Sequence, residues 1–587
     1  MTQRPESDVP MPVAASPAAH LSAKRGALRI VPVLLAVVVG FLVLSPLVML
    51  VISSLRPTGL PGDAGFTLAH YADVYASSRT YVLLGKSLEF AVGSAVLAVL
   101  FGTALAWLTE RSDMPFKRTA RVLVLIPMAT PPVLLAISWV LLLSPKIGLI
   151  NTLIRNITGA DISLNIYSMP GMIFVQALAM VPTVYLIMYP SLRSMDASLE
   201  EAALTSGMAP WKVITSVVLP LVRPAIVAAF AFLTIIGFVS FDIPGILGLP
   251  RGIFVLSSEI YFQANPPIGL PDYGAISALA ASFVVLLLGL SWIYRRETRR
   301  ASRFITVTGK GTRSRPFRLG PWRWAAAGLV GLYALLSVIA PLGMLLWTSL
   351  LPYYSGVSGT MLHELTLRNH RAFWSSSSTL SAFGHSAEVA LLSATVVVVL
   401  SVLVSWVVVR SRIRGRRLLD VVAFVPLAVP STIIGVALIF VYLTITAVPL
   451  YGTVWIIALA YITVYLSFGT RVINSAFLQL HPELEEAGRT SGAGWVTVFR
   501  SVTLPLVRPA MTAVWIWVAA HALRELSTAL ILQSGRNNVL PTLVWDFWQA
   551  GRPTVAAAAG VWLVLILGLL IGLWQLVGTR HGAGEVG

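Results

Sequence analysis

The residues whose types best suit chemistry are a few ionisable groups set inside apolar runs. Asp242 lies within Phe241-Asp242-Ile243-Pro244-Gly245, and Arg524-Glu525 follow His521 by about one helical turn in another run. A charge at the centre of a bilayer costs about 2.5–3.5 kcal/mol on insertion scales, so each is a functional candidate. Two readings are open. Asp242, His521, Arg524 and Glu525 line a substrate path, or they form structural ion pairs and cap a broken helix. A second acidic set, Glu200-Glu201 and Glu485-Glu486, lies between apolar runs, and each pair is followed by small residues and a glycine. Catalysis finds no support. Cysteine is absent, which excludes disulfides, Cys-ligated metal and thiol chemistry. His363-Glu364 lacks the second His of a metalloprotease helix, and Gly309-Lys310 is followed by Gly311 where a P-loop needs Ser or Thr. No catalytic residue, no metal ligand set and no cofactor bound by this chain are expected.

The elements that position these groups belong in a bilayer. Of 587 residues, 57% are hydrophobic and 11% are charged, with mean hydropathy +0.82. A hydrocarbon core about 30 Å thick needs about 20 apolar residues per helix. Runs of that length predict spans near 30–55, 84–109, 120–144, 170–192, 222–249 and 274–294, then near 324–351, 384–409, 418–445, 453–477, 508–533 and 554–578. The fold class is an all-α integral membrane protein of about 12 helices. The net charge of +18 reads as topology and not as nucleic-acid binding. With both termini inside, the inner segments hold about 30 Lys and Arg and the outer ones about 10, as the positive-inside rule requires. Arg111, Lys117, Arg118 and Arg121 fall inside, as do Arg410, Arg412, Arg414, Arg416 and Arg417. So does the linker 295–323, which carries Arg295, Arg296, Arg299, Arg300, Arg303, Lys310, Arg313, Arg315, Arg318 and Arg323.

Comparing the chain with itself shows that it is duplicated. Residues 199–207 read LEEAALTSG and 484–492 read LEEAGRTSG; LPLVRPA occurs at 219–225 and again at 504–510. Both blocks are offset by 285 residues. Arg111-Ser112, Pro127 and Pro131 match Arg410-Ser411, Pro426 and Pro430 at offset 299. Equal helix numbers per half imply parallel repeats about a pseudo-two-fold axis along the membrane normal, with a substrate path at their interface. The expected divisions are a disordered N-terminus 1–29, a first module 30–294, the linker 295–323, a second module 324–578 and a tail 579–587. Asp242 and Arg524-Glu525 fall on the fifth span of each half, roughly 24–28 Å beyond Arg223 and Arg508 at 1.5 Å per residue.

The repeated loops, 193–223 and 478–508, follow the fourth span of each half on the inner side. Helix formers precede Gly207 and Gly492, which break the helix as glycine does at a C-cap. The result is a helix–glycine–helix elbow. Small residues at Ala202-Ala203 and Ala487-Gly488 allow close approach by a partner, and Glu200-Glu201 and Glu485-Glu486 suit basic groups on it.

At this point the chain resembles a known family, the membrane permeases of binding-protein-dependent (type I) ABC importers. Their pattern is E-A-A, three residues, G, nine residues, I-x-L-P. It is met by Glu201-Ala202-Ala203, Gly207, Val217 and Leu219-Pro220, and by Glu486-Ala487-Gly488, Gly492, Val502 and Leu504-Pro505. Val replaces Ile in both copies, and Gly488 replaces the second Ala. The resemblance implies that each elbow seats in a groove of a separate ATPase subunit, two in all, which binds ATP and Mg. It implies an extracytoplasmic binding protein that delivers substrate, alternating access between the halves, and residence in the bacterial cytoplasmic membrane. Phe241 to Leu249, Ser258 to Tyr261 and Pro271-Asp272-Tyr273-Gly274 look like the first half of fused ferric-iron-type permeases. Leu523-Arg524-Glu525-Leu526 and Leu540-Pro541-Thr542-Leu543 are similar to the second half. Ferric iron is the substrate this suggests, with thiamine, aminoethylphosphonate and polyamine importers as near relatives. Anionic cargo would favour Arg524, and cationic cargo would favour Asp242 and Glu525. An ion-gradient-driven secondary transporter with two six-helix halves fits the composition but has no need of duplicated elbows.

Overall fold

A computed structural model describes residues 17–160, 163–193, 195–196, 198–301, 316–355, 363–411 and 413–582. Arg303, Lys310, Arg313, Arg315 and Arg412 lie outside the described residues. Among the described residues the chain is helical, and its sole β pairing is an isolated bridge between Ser112 and Phe317. A lipid-embedded backbone must satisfy its own hydrogen bonds, which a helix does within one segment.

Among the described residues, ten helices are long and apolar enough to cross a bilayer. In the first half they are Pro32–Ser54, Ser78–Arg111, Met169–Arg193, Pro210–Val239 and Tyr273–Ile293. In the second they are Trp322–Ser349, Ser377–Arg410, Val454–Gln479, Val496–Arg524 and Pro553–Leu570. The third span of each half departs from the simple expectation. Lys117–Ala129 with Pro132–Leu143 is bent by 99°, and Arg416–Ala428 with Ser431–Thr444 by 111°. The cause is proline, because the residue before a proline is pushed out of the helical region. Thr130 (ψ 122°) precedes Pro131, and Val429 (ψ 123°) precedes Pro430.

Each bent pair is nevertheless one crossing. The second span ends at Arg111, whose guanidinium reaches Glu200 just beyond the end of the fourth span. These two helices pack side by side and finish on the same face. The chain leaving Arg111 must therefore cross before Met169, and the bent pair is what carries it. Arg410 and Glu485 impose the same condition on the second half. Twelve crossings result among the described residues, as the basic loops require.

The boundaries of five helices move. The first helix begins at Pro17, so residues 17–29 are helical and not a disordered tail. The fifth and eleventh spans were expected at 222–249 and 508–533. They run instead from Pro210 to Val239 and from Val496 to Arg524, each beginning inside the elbow and stopping short of the outer end. The helix after Tyr273 continues to Ala301 and the last helix to Gly582, into the expected linker and tail.

One packing feature ties the halves together, and another holds each half. The first helix of each half leans on the broken span of the other: Pro17–Ser54 against Arg416–Phe424 and Ser431–Thr444, and Ala340–Ser349 against Pro132–Leu143. Within each half the second and fourth spans cross at a small residue. A Cβ on Gly102 would lie 2.5 Å from Val184 Cβ, and one on Gly469 would lie 2.3 Å from Ser401 Oγ. These positions correspond between repeats, with the glycine on opposite partners. Close backbone approach through small residues is how membrane helices gain packing energy, since lipid offers no hydrophobic drive.

Candidate functional site

The elbows form as the sequence predicts. Ser198–Thr205 and Glu483–Thr490 are helices. Gly207 and Gly492 follow at φ +80° and +84°, a left-handed conformation that favours glycine. Met208 N–H donates to Ala203 O at 3.1 Å and Ala493 N–H to Gly488 O at 3.2 Å, closing the helix ends. Hydrogen bonds from Ser198 hold the Asp196 carboxyl below its ordinary range at the start of the first elbow. The second arms, Pro210–Val213 and Trp495–Val498, run without interruption into the fifth and eleventh spans through one wide turn each, Ile214–Val218 and Phe499–Thr503. There Leu219 N–H reaches back to Ile214 O, and Leu504 N–H to Phe499 O. Pro220 and Pro505 come next. A proline ring clashes with the carbonyl four residues earlier, and a widened turn relieves that clash.

The paired glutamates divide their work. Glu200 is buried and accepts from Arg111 at 2.5 Å, while Arg111 also donates to Met195 O at 3.2 Å. Glu485 is buried and accepts from Arg410 at 3.0 Å and from Thr503 Oγ1 at 3.2 Å. Arg410 Nη2 also caps the fourth-span end, donating to Phe477 O and Leu480 O. These two glutamates therefore face inward and fasten each elbow to its second span. They are not free for basic groups on a partner. Glu201 and Ala202, and Glu486 and Ala487, are exposed. Ala203 and Gly488 are half-buried, and a Cβ on Gly488 would come 3.0 Å from Val498 Cγ2. Beside them Leu199, Leu204 and Trp211 of the first elbow, and Leu484 and Val496 of the second, expose apolar surface. Such surface rimmed by charge suits a protein partner.

The intramembrane candidates gather where the fifth and eleventh spans end. Both helices stop in an extended residue, Ser240 (ψ 128°) and Glu525 (ψ 120°). These positions are equivalent at offset 285. Each is tied to its fourth span by another equivalent pair: Ser240 Oγ donates to Gln176 Oε1 at 3.0 Å, and Tyr461 Oη donates to Glu525 O at 2.9 Å. The Glu525 carboxylate accepts from Thr528 N–H at 3.1 Å and Thr528 Oγ1 at 3.1 Å, capping the short helix Ser527–Leu532. Arg524 crosses to the other half, where its guanidinium donates to Met128 O at the break of the third span. His521 packs one turn before this junction. Its ring stacks on Trp517, which stacks on Phe468, both at 3.6 Å, and its Nδ1 lies 2.8 Å from Trp517 O.

Asp242 meets Ser527, whose Oγ donates to its Oδ1 at 3.4 Å. These are equivalent residues of the two repeats. A second equivalent pair also touches: Tyr261 and Trp545 are matched by the alignment of Val255-Leu256 with Val539-Leu540, and their rings lie 5.8 Å apart, edge to face. Phe241 packs on both rings, at 4.9 and 5.6 Å. Residues related by a two-fold axis touch each other only where they lie beside it. The pseudo-axis therefore passes Asp242–Ser527 and Tyr261–Trp545, and the aromatic trio fills the space between the halves there. Among the described residues no group of three or more His, Cys, Asp or Glu is arranged to hold a metal ion.

The sequence had singled out Asp242, His521, Arg524 and Glu525 but missed Ser527, Tyr261, Trp545, Gln176 and Tyr461. Adding the repeat offset of 285 to Asp242 would have found Ser527. Arg111 and Arg410 were visible only as repeat markers and as basic residues of the inner loops.

Residues 98–303 and 397–578 each match the family described as binding-protein-dependent transport system inner membrane component. The Fe(3+)-transport system permease protein of Haemophilus influenzae is 24% identical over 496 residues, covering 84% of this chain and 89% of that protein. The ferric transport system permease protein of Actinobacillus pleuropneumoniae is 23% identical over 522 residues, covering 86% and 73%. A spermidine/putrescine transport system permease protein of Haemophilus influenzae is 26% identical over 198 residues, covering 34% of this chain and 76% of that protein.

Proposed function

The chain belongs to the binding-protein-dependent transport system inner membrane components, the permease subunits of ABC importers, and from that premise we propose that it passes ferric iron inward by alternating access, driven by ATPase subunits seated on its two elbows. The observation that carries this reading is the duplicated elbow, fastened to one span and continuous with another. Motion of an elbow reaches the second span through Arg111–Glu200 or Arg410–Glu485. It reaches the axis along a single helix, Pro210–Val239 or Val496–Arg524. At 1.5 Å per residue that lever is about 45 Å long. Closure of an ATPase dimer would turn both levers and part the residues at their far ends. A binding protein on the outer face would then release cargo into the opened path.

Ferric iron is favoured by the permeases that match along most of the chain. A polyamine is the second reading, supported by the shorter match to a spermidine/putrescine permease. Both are substrates in transit, so neither requires a resident metal site. The test is uptake of radiolabelled ferric iron by cells carrying this chain together with an ATPase and a binding protein of the same importer. ATP-dependent uptake that vanishes without either partner supports the reading. Uptake that persists without ATP and collapses with the proton gradient would overturn it in favour of a secondary transporter.

A further inference from the structure

Three charged groups lie near the pseudo-axis, and their partners separate them. Arg524 is committed to the Met128 carbonyl of the other half. Glu525 is committed to the helix end at Thr528. Asp242 has a single hydroxyl at 3.4 Å, a long and weak contact. Among the described residues neither carboxylate has a basic group within ion-pair distance, although ion pairs do form at both elbows. A charge taken out of water without a partner is costly and persists where function uses it. Asp242 is therefore the uncommitted carboxyl group where the two halves meet, next in the chain to Phe241 of the aromatic trio.

We infer that Asp242 is the charge-selecting residue of the path, so that cargo crosses this junction as a cation, exchanging for the Ser527 hydroxyl as the partner of the carboxylate. This deepens the importer reading and rests on it. An anion would meet an unpaired carboxylate first, with the nearby arginine already engaged. The inference covers both a ferric ion and an organic polycation, which share the positive charge.

The repeat supplies a specific test. Because residues 242 and 527 are equivalent and touch, Asp242→Ser combined with Ser527→Asp returns a carboxylate to the same place from the other half. Uptake is measured in cells carrying the whole transporter, with citrate-solubilised radiolabelled ferric iron, putrescine and sulfate as separate probes, alongside the amount of permease in the membrane. Asp242→Asn is expected to lower cation uptake at least tenfold at unchanged membrane level. The exchanged pair is expected to restore at least a third of it. Retention of more than half the uptake in Asp242→Asn would overturn the inference, as would an exchanged pair no better than Asp242→Ser alone. Wild-type uptake confined to sulfate would overturn it while leaving the importer reading intact. Failure of wild type to take up any probe in an ATP-dependent way would instead remove the ferric-iron and polyamine readings, and this inference with them. If Asp242→Asn does not reach the membrane, Ser527→Lys decides: a tethered cation beside Asp242 should abolish uptake, and normal uptake would overturn the assignment.

Discussion

Ser527 Oγ donates to Asp242 Oδ1 at 3.4 Å, and the two residues hold the same position in the two repeats. That contact fixes where the halves meet. It also joins two levers, since Asp242 lies three residues beyond the end of Pro210–Val239 and Ser527 three beyond the end of Val496–Arg524. The elbows and the contact at the axis are thus two ends of the same pair of helices.

Arg111 and Glu200 should behave as one unit. Removing one member of a buried pair leaves an uncompensated charge, at a cost of about 3–5 kcal/mol. Arg111→Ala is expected to loosen the first elbow and lower uptake sharply. Arg111→Ala with Glu200→Ala should be milder than the sum of the single changes. A double-mutant cycle on detergent-phase thermal stability and on uptake checks this; strict additivity would show that the pair does not act together.

Gly207 and Gly492 test the elbow by backbone alone. No atom lies within 4 Å of a Cβ built on either, so a substitution meets no steric wall. The positive φ still strains any β-branched residue, by about 1–3 kcal/mol. Gly207→Val and Gly492→Val are expected to reach the membrane normally while ATP hydrolysis uncouples from uptake. Wild-type uptake in both would remove the elbows from the coupling mechanism.

Glu525 separates capping from charge. Gln keeps a carbonyl acceptor for Thr528 N–H, whereas Ala keeps none. Loss of such a cap costs about 1 kcal/mol. Glu525→Gln should therefore retain most uptake and Glu525→Ala should lose more. Equal loss in both would mean that the negative charge matters here as it does at Asp242.

Much of this architecture was legible because the chain repeats itself. The matched blocks located both elbows, and the basic loops set the orientation. Pro131 and Pro430 were visible as matched residues, but a hydropathy reading weighs apolar content and not backbone angle, so the sharp bends were lost. Asp242 and Glu525 look alike in sequence as carboxylates in apolar runs. Only the folded chain shows that one caps a helix while the other stands at the axis. The inward turn of Glu200 and Glu485 was hidden for a similar reason: adjacent residues on a helix face different ways, and burial depends on the distant Arg111 and Arg410.

The most direct measurement of the central claim, that the halves part at the axis during transport, uses the absence of native cysteine. Tyr261→Cys with Trp545→Cys places one thiol on each side of the axis, where a short reducible bis-thiosulfonate linker can join them. Joined halves are predicted to insert normally and bind the ATPase but to lose ATP-dependent uptake, which returns when the linker is reduced. Undiminished uptake with the cross-link complete would contradict the account.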